Sequence, residues 1–82
     1  MYSIGIEKNA ERFLKKIPKK DREVILNKIY LLRKNPFRFL KRLKGDKLWR
    51  LRILKYRAII DVIISKNKII VLRIGYRKNL YK

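Results

Sequence analysis

The spacing of apolar residues changes period twice along the chain. In residues 2–7, Tyr2, Ile4 and Ile6 alternate with polar or small neighbours, the pattern of a short strand with one face turned inward. From Asn9 the period lengthens. Ala10, Phe13, Leu14 and Ile17 fall at i, i+3, i+4 and i+7, which predicts a helix of two turns, capped by Asn9 and stopped by Pro18.

A second helix is predicted from Lys19 or Lys20 to Lys34. Ile25, Ile29 and Leu32 repeat at i, i+4 and i+7, with Arg22 and Leu26 on neighbouring positions. Asp21 and Glu23 in its first turn and Arg33 and Lys34 in its last complement the helix dipole. Asn35-Pro36 ends it. Residues 37–47 read as a basic connection with two aromatics, closing on the turn Gly45-Asp46.

The last third runs at period two. Residues 48–53, 56–64 and 69–76 are strand-length segments, separated by Leu54-Lys55 and by residues 65–68. Connections this short imply an antiparallel meander. The order β-α-α-β-β-β predicts an α+β fold, with two helices packed on one face of a four-stranded, mainly antiparallel sheet. A single domain spans residues 1–82.

Composition narrows the chemistry. The 82 residues include no cysteine and no histidine, which excludes a disulfide scaffold, a thiolate metal site and the commonest general base. No apolar run approaches membrane-spanning length and no signal peptide is evident, so a cytoplasmic location is expected. Twenty-five Lys and Arg against six acids give a net charge of +19. Such a charge predicts a polyanionic partner: nucleic acid first, an acidic protein second, an anionic membrane a distant third.

The strand pattern says where the arginines point. Trp49, Leu51 and Ile53 share one face and Leu48, Arg50 and Arg52 the other. Tyr56, Ala58, Ile60, Val62 and Ile64 oppose Arg57, Ile59, Asp61 and Ile63. Ile70, Leu72, Ile74 and Tyr76 oppose Ile69, Val71, Arg73, Gly75 and Arg77. Every basic residue inside these strands is arginine, the side chain suited to bidentate phosphate contact. With Leu54-Lys55 as a two-residue turn, Ile53 pairs with Tyr56 and Arg52 with Arg57. With residues 66–68 as a three-residue loop helped by Asn67, Ser65 pairs with Ile69, Asp61 with Arg73 and Arg57 with Arg77. The expected outcome is a row Arg52–Arg57–Arg77, with Arg73 neutralised by Asp61. Such a row either holds phosphate or consists of solvated arginines splayed apart on an exposed face.

In these pieces the sequence resembles the RelE branch of the RelE/ParE toxins of toxin–antitoxin modules. The resemblance rests on Ala10, Leu14 and Ile17-Pro18, on Asn35-Pro36 and on Leu43-Lys44-Gly45. It continues through Trp49-Arg50-Leu51-Arg52-Ile53, Tyr56-Arg57 and Ile74-Gly75-Tyr76-Arg77 to Tyr81. It implies a fold similar to microbial ribonucleases and a metal-independent endoribonuclease needing no cofactor. That enzyme cuts messenger RNA in the ribosomal A site by attack of a ribose 2′-hydroxyl on the adjacent phosphodiester. It further implies a cognate acidic, RelB-like antitoxin, with operator DNA reached only through the antitoxin complex and no membrane partner.

Carried over by position, the resemblance makes Arg52, Arg57, Arg77 and Tyr81 catalytic, with Arg50, Lys44, Lys47 and Lys41 binding RNA. Tyr81 would orient or deprotonate the 2′-hydroxyl, Arg57 and Arg77 would clamp the scissile phosphate, and Arg52 and Arg50 would approach the leaving oxygen. The remaining lysines, Lys15, Lys16, Lys19 and Lys20 among them, either hold ribosomal RNA backbone or are solvated. Three departures stand out. Arg50 and Arg52 replace the lysines of many relatives, Tyr76 replaces a frequent His, and Leu54-Lys55 replaces a common Gly-Asp turn. Two other functions stay open: a ParE-like gyrase poison, and a non-enzymatic RNA- or ribosome-binding protein. A DNA-binding regulator fits less well, because neither helix gathers base-reading residues on an exposed face.

Overall fold

In the computed structural model, which describes residues 1–45 and 47–78, the N-terminal alternation forms strand β1 over Ser3–Ile6. Helix α1 follows over Lys8–Lys16 and buries Ala10 and Leu14. It starts two residues earlier than a cap at Asn9 implies. Glu7 holds the N-cap position without a side-chain cap bond, and Asn9 lies inside the first turn. At the other end Ile17 turns extended ahead of Pro18. The last-turn carbonyls left over there find a donor in Arg22, whose Nε donates to the Leu14 carbonyl at 2.7 Å and whose Nη2 donates to that of Ile17 at 3.2 Å.

Helix α2 runs over Lys19–Leu31 and buries Ile25 and Ile29. It ends three residues before the expected Lys34. The Arg33 carbonyl accepts from the Tyr2 amide at 2.9 Å, which ties the helix exit to the start of β1 and leaves Arg33 and Lys34 beyond the last turn. A 3-10 turn at Pro36–Arg38 then leads into a strand the alternation did not reveal, β2, over Lys41–Arg42. Two residues are too few to show a period, and both are exposed. Gly45, with φ +74°, supplies the left-handed step of the turn that follows, and the Leu43 amide bonds to the Leu48 carbonyl at 3.0 Å to close the hairpin.

Strands β3 (Trp49–Ile53), β4 (Tyr56–Ile63) and β5 (Lys68–Tyr76) complete a five-stranded sheet in the order β1-β5-β4-β3-β2. β1 is parallel to β5, and the other pairs are antiparallel. The α+β class stands, with five strands in place of four. Both helices contribute to one core. Ala10, Leu14, Ile25, Ile29 and Leu32 pack against Leu51, Ile53, Tyr56, Ala58, Ile60, Ile69, Val71 and Ile74. No helix among the described residues is long and apolar enough to cross a membrane.

The β3–β4 register is the expected one, with Ile53 opposite Tyr56 and Arg52 opposite Arg57. Its turn holds Leu54 at φ +54°, a conformation that glycine adopts without strain. The β4–β5 register is not the expected one. Asn67 is left-handed at φ +49°, as read, but it closes a 3-10 turn over Ile64–Lys66, so Ile63 rather than Ser65 begins the pairing, opposite Lys68. A bulge follows: Ile60 faces Val71 and Ile59 faces Arg73, which leaves Leu72 as the extra residue. Alternation therefore inverts along β5. Ile69 and Val71 enter the core before the bulge and Ile74 after it, whereas strict alternation assigned Ile70 and Leu72 to that face.

Candidate functional site

The site is built on the helix-free face of β3, β4 and β5. Parity from the buried Leu51 and Ile53 puts Arg50 and Arg52 on this face, and parity from Tyr56 and Ala58 puts Arg57 there. Arg52 and Arg57 are direct cross-strand partners. Neighbouring strands are about 5 Å apart, and two unit charges at that distance repel by roughly 0.8 kcal/mol even in bulk water. Like charges placed directly opposite destabilise a sheet.

Arg57 faces Gly75, not Arg77, on β5. The expected straight row of three is therefore replaced by a different cluster. Arg77 lies two positions past Gly75, where its amide bonds to the Lys55 carbonyl at 3.0 Å, and it becomes a diagonal neighbour of Arg57. Diagonal residues sit about 7–8 Å apart, within reach of arginine side chains. The same shift moves Arg73. It pairs with Ile59, Asp61 pairs with Ile70, and the expected Arg73–Asp61 pair is absent from the register. Arg73, exposed and two positions before Gly75, is the other diagonal neighbour of Arg57. Arg57 is thus surrounded by Arg52 opposite and by Arg50, Arg73 and Arg77 on diagonals. The expected register had set Arg73 aside as the partner of Asp61. A bulge, which no alternation rule foresees, brings it in.

Arg57 differs from its neighbours in burial. It is 6% exposed, the one charged side chain in the buried set of the described residues. A charge arriving beside a buried guanidinium is screened by water less than one meeting the exposed Arg52. Among the expected RNA-binding lysines, Lys41 lies on β2 directly opposite Arg50. Lys44 and Lys47 are exposed in the β2–β3 turn, beyond the end of β3 that carries Trp49 and away from Arg52. Tyr81 lies outside the described residues.

Behind the arginine face, Tyr56 is fully buried and its hydroxyl donates to an Asp21 carboxylate oxygen at 2.6 Å. That hydrogen bond, then burial, then the nearby negative charge push the phenol up to about 12. Tyr56 is therefore a neutral anchor between β4 and α2. It also stacks edge-on with Phe13 at 5.9 Å and lies beside Tyr76 at 5.4 Å. No group of His, Cys, Asp or Glu among the described residues is arranged to hold a metal ion.

The α+β fold, with two helices on one side of the sheet, is shared with solved toxins. A RelE–RelB complex from Pyrococcus horikoshii is similar over 95% of this chain and 97% of its own, at 26% identity and a TM-score of 0.83. The antitoxin–toxin complex RelB–RelE of Methanococcus jannaschii matches over 95% of each chain at 26% identity and a TM-score of 0.74. The isolated RelE toxin of E. coli covers 99% of this chain and 92% of its own, at 20% identity and a TM-score of 0.80. No protein-family model matches the sequence, and no curated protein does. The fold of this chain is that of the RelE toxins, in agreement with the resemblance carried by its motifs.

Proposed function

We propose that this chain is the toxin of a type II toxin–antitoxin module and works as an endoribonuclease, cutting messenger RNA in the ribosomal A site. The observation that supports this most is the direct pairing of Arg52 with Arg57 on the helix-free face, with Arg77 on the diagonal. The fold shared with RelE proteins, several of them solved with a RelB antitoxin, supports the toxin part of the reading.

In this reading the ribose 2′-oxygen attacks the adjacent phosphorus. A P–O bond forms to the 2′-oxygen, and the bond to the 5′-oxygen breaks. The 2′-proton is removed, and the leaving oxygen takes up a proton in turn. Arg57 and Arg77 clamp the phosphate and stabilise its growing charge, and Arg52 and Arg50 face the leaving oxygen. Arg73 adds to the same field. Arginine holds its proton throughout, so these groups polarise and do not exchange protons. Tyr81 is assigned the 2′-hydroxyl. With so few proton-transfer groups, alignment of the RNA by the ribosome supplies much of the rate. The place of action is then the cytoplasm, and Lys41, Lys44 and Lys47 contact RNA backbone. An acidic, RelB-like antitoxin covers the basic surface, and operator DNA is met only through that complex.

Induction of the chain alone, with mapping of messenger RNA ends, tests the reading. New codon-internal ends that disappear in Arg77→Ala and Tyr81→Phe are expected. Growth arrest without such ends, or full cleavage by both variants, overturns it. Arrest accompanied by gyrase-linked DNA breaks would place the chain with the gyrase poisons.

A further inference from the structure

Because β2 is two residues long, it pairs only with Trp49 and Arg50 and leaves the rest of the β3 edge uncovered. A cleft of about 120 Å³ opens at that point. Its lining is Lys28, Phe39, Lys41, Arg50, Leu51 and Arg52: four cations, two apolar side chains and, among the described residues, no carboxylate. Lys41, Arg50 and Arg52 reach it from the strands, and Lys28 from α2, on the other side of the sheet. Lys28 is half-buried, and its Nζ sits 5.2 Å from the centre of the Phe39 ring, a contact that holds the ammonium at the cleft.

Cations from both layers of the fold therefore meet at one small opening beside the arginine face. The cleft is well below the roughly 300 Å³ at which ordinary organic-ligand pockets begin, so it is too small for a nucleotide and suits a compact anion. Its distance from β4, which carries Arg57, is two strand spacings, or about 10 Å. An anionic group held there belongs to the same strand as one held at Arg57.

We propose that Lys28, with Lys41, Arg50 and Arg52, forms a second phosphate subsite, which seats another backbone phosphate of the RNA strand gripped at Arg57. The subsite rests on the reading of the helix-free face as an RNA-binding surface. Its role is to fix the register of the strand. Phosphate contacts of this kind position a nucleic acid without reading its bases.

The test is fluorescence anisotropy of a labelled oligouridylate across a range of salt concentrations. The proteins compared are the wild type, Lys28→Gln, Lys28→Arg and Lys8→Gln, the last removing an equal charge from the exposed start of α1. Losing one phosphate contact to a single strand should reduce the slope of log K against log salt by about 0.7, equivalent to roughly fivefold weaker binding near 0.1 M salt. That loss is expected for Lys28→Gln and not for Lys8→Gln, with recovery in Lys28→Arg. Thermal unfolding certifies the variants. If Lys28→Gln fails to fold, Lys28→Met keeps the stem on Phe39 and takes its place. Equal slopes for Lys28→Gln and wild type overturn the subsite while RNA cleavage by the wild type leaves the wider reading standing. Wild-type binding without salt dependence overturns both.

Discussion

The hydroxyl of Tyr56 donates to Asp21 across 2.6 Å, joining the middle of the sheet to the first turn of α2. An ordinary tyrosine loses its proton near pH 10, and Tyr56 in the fold near 12. The raised value favours the folded state while Tyr56 is protonated. This contribution is complete below pH 10 and is lost as the pH climbs through about 12. Stability measured by urea unfolding should therefore fall across that window. Tyrosinate absorbance should show a late-titrating group that belongs to Tyr56. Asp21→Asn should move that group to lower pH, and Tyr56→Phe should abolish it.

Arg22 bonds to two carbonyls at the end of α1. Arg22→Ala should cost about 1–2 kcal/mol, the range for charge-assisted bonds at a partly exposed helix end. Arg22→Lys should recover part of the loss, since an ammonium keeps the charge without the planar fork. Chemical denaturation at neutral pH gives both values.

The pairing of Arg52 with Arg57 sets stability against function. Arg52→Thr replaces a charge with a residue that favours strands, and should stabilise the domain by about 0.5–1 kcal/mol at low salt. The gain should shrink as salt rises and the Debye length falls. RNA cleavage should drop in the same variant. Destabilisation at every salt concentration would show that the two guanidiniums do not oppose each other.

Arg73 is exposed opposite Ile59. With no ion pair to Asp61 to lose, Arg73→Ala should change stability by no more than about 0.5 kcal/mol. A large loss in thermal unfolding would restore the pairing with Asp61 that the sequence suggested.

Both helices were legible because Ala10, Leu14, Ile25 and Ile29 repeat at the helical period, and the β3–β4 hairpin because two alternating runs are separated by two residues. Three features were not. β2 has no period to read. The end of α2 is set by the Arg33–Tyr2 hydrogen bond, which joins residues far apart in sequence. The β4–β5 register depends on the 3-10 turn at Ile64–Lys66 and on the bulge at Leu72, both settled by backbone geometry. Arg50, Arg52 and Arg57 were placed correctly because the β3–β4 hairpin that pairs them is regular, with the register its two-residue turn implies. Arg73 and Arg77 had to be reassigned. Lys28 gave no signal, since a lysine on a basic helix looks like any other until Phe39 and the short β2 give it a location.

The extra residue at Leu72 also shapes the surface. A bulge bends its strand and sharpens the local twist, so the end of the sheet bearing Arg57 and Arg77 is tilted away from the end bearing Asp61 and Ile70. A stiff, planar ligand laid on this saddle would touch one half or the other. A pliable single strand can follow the bend.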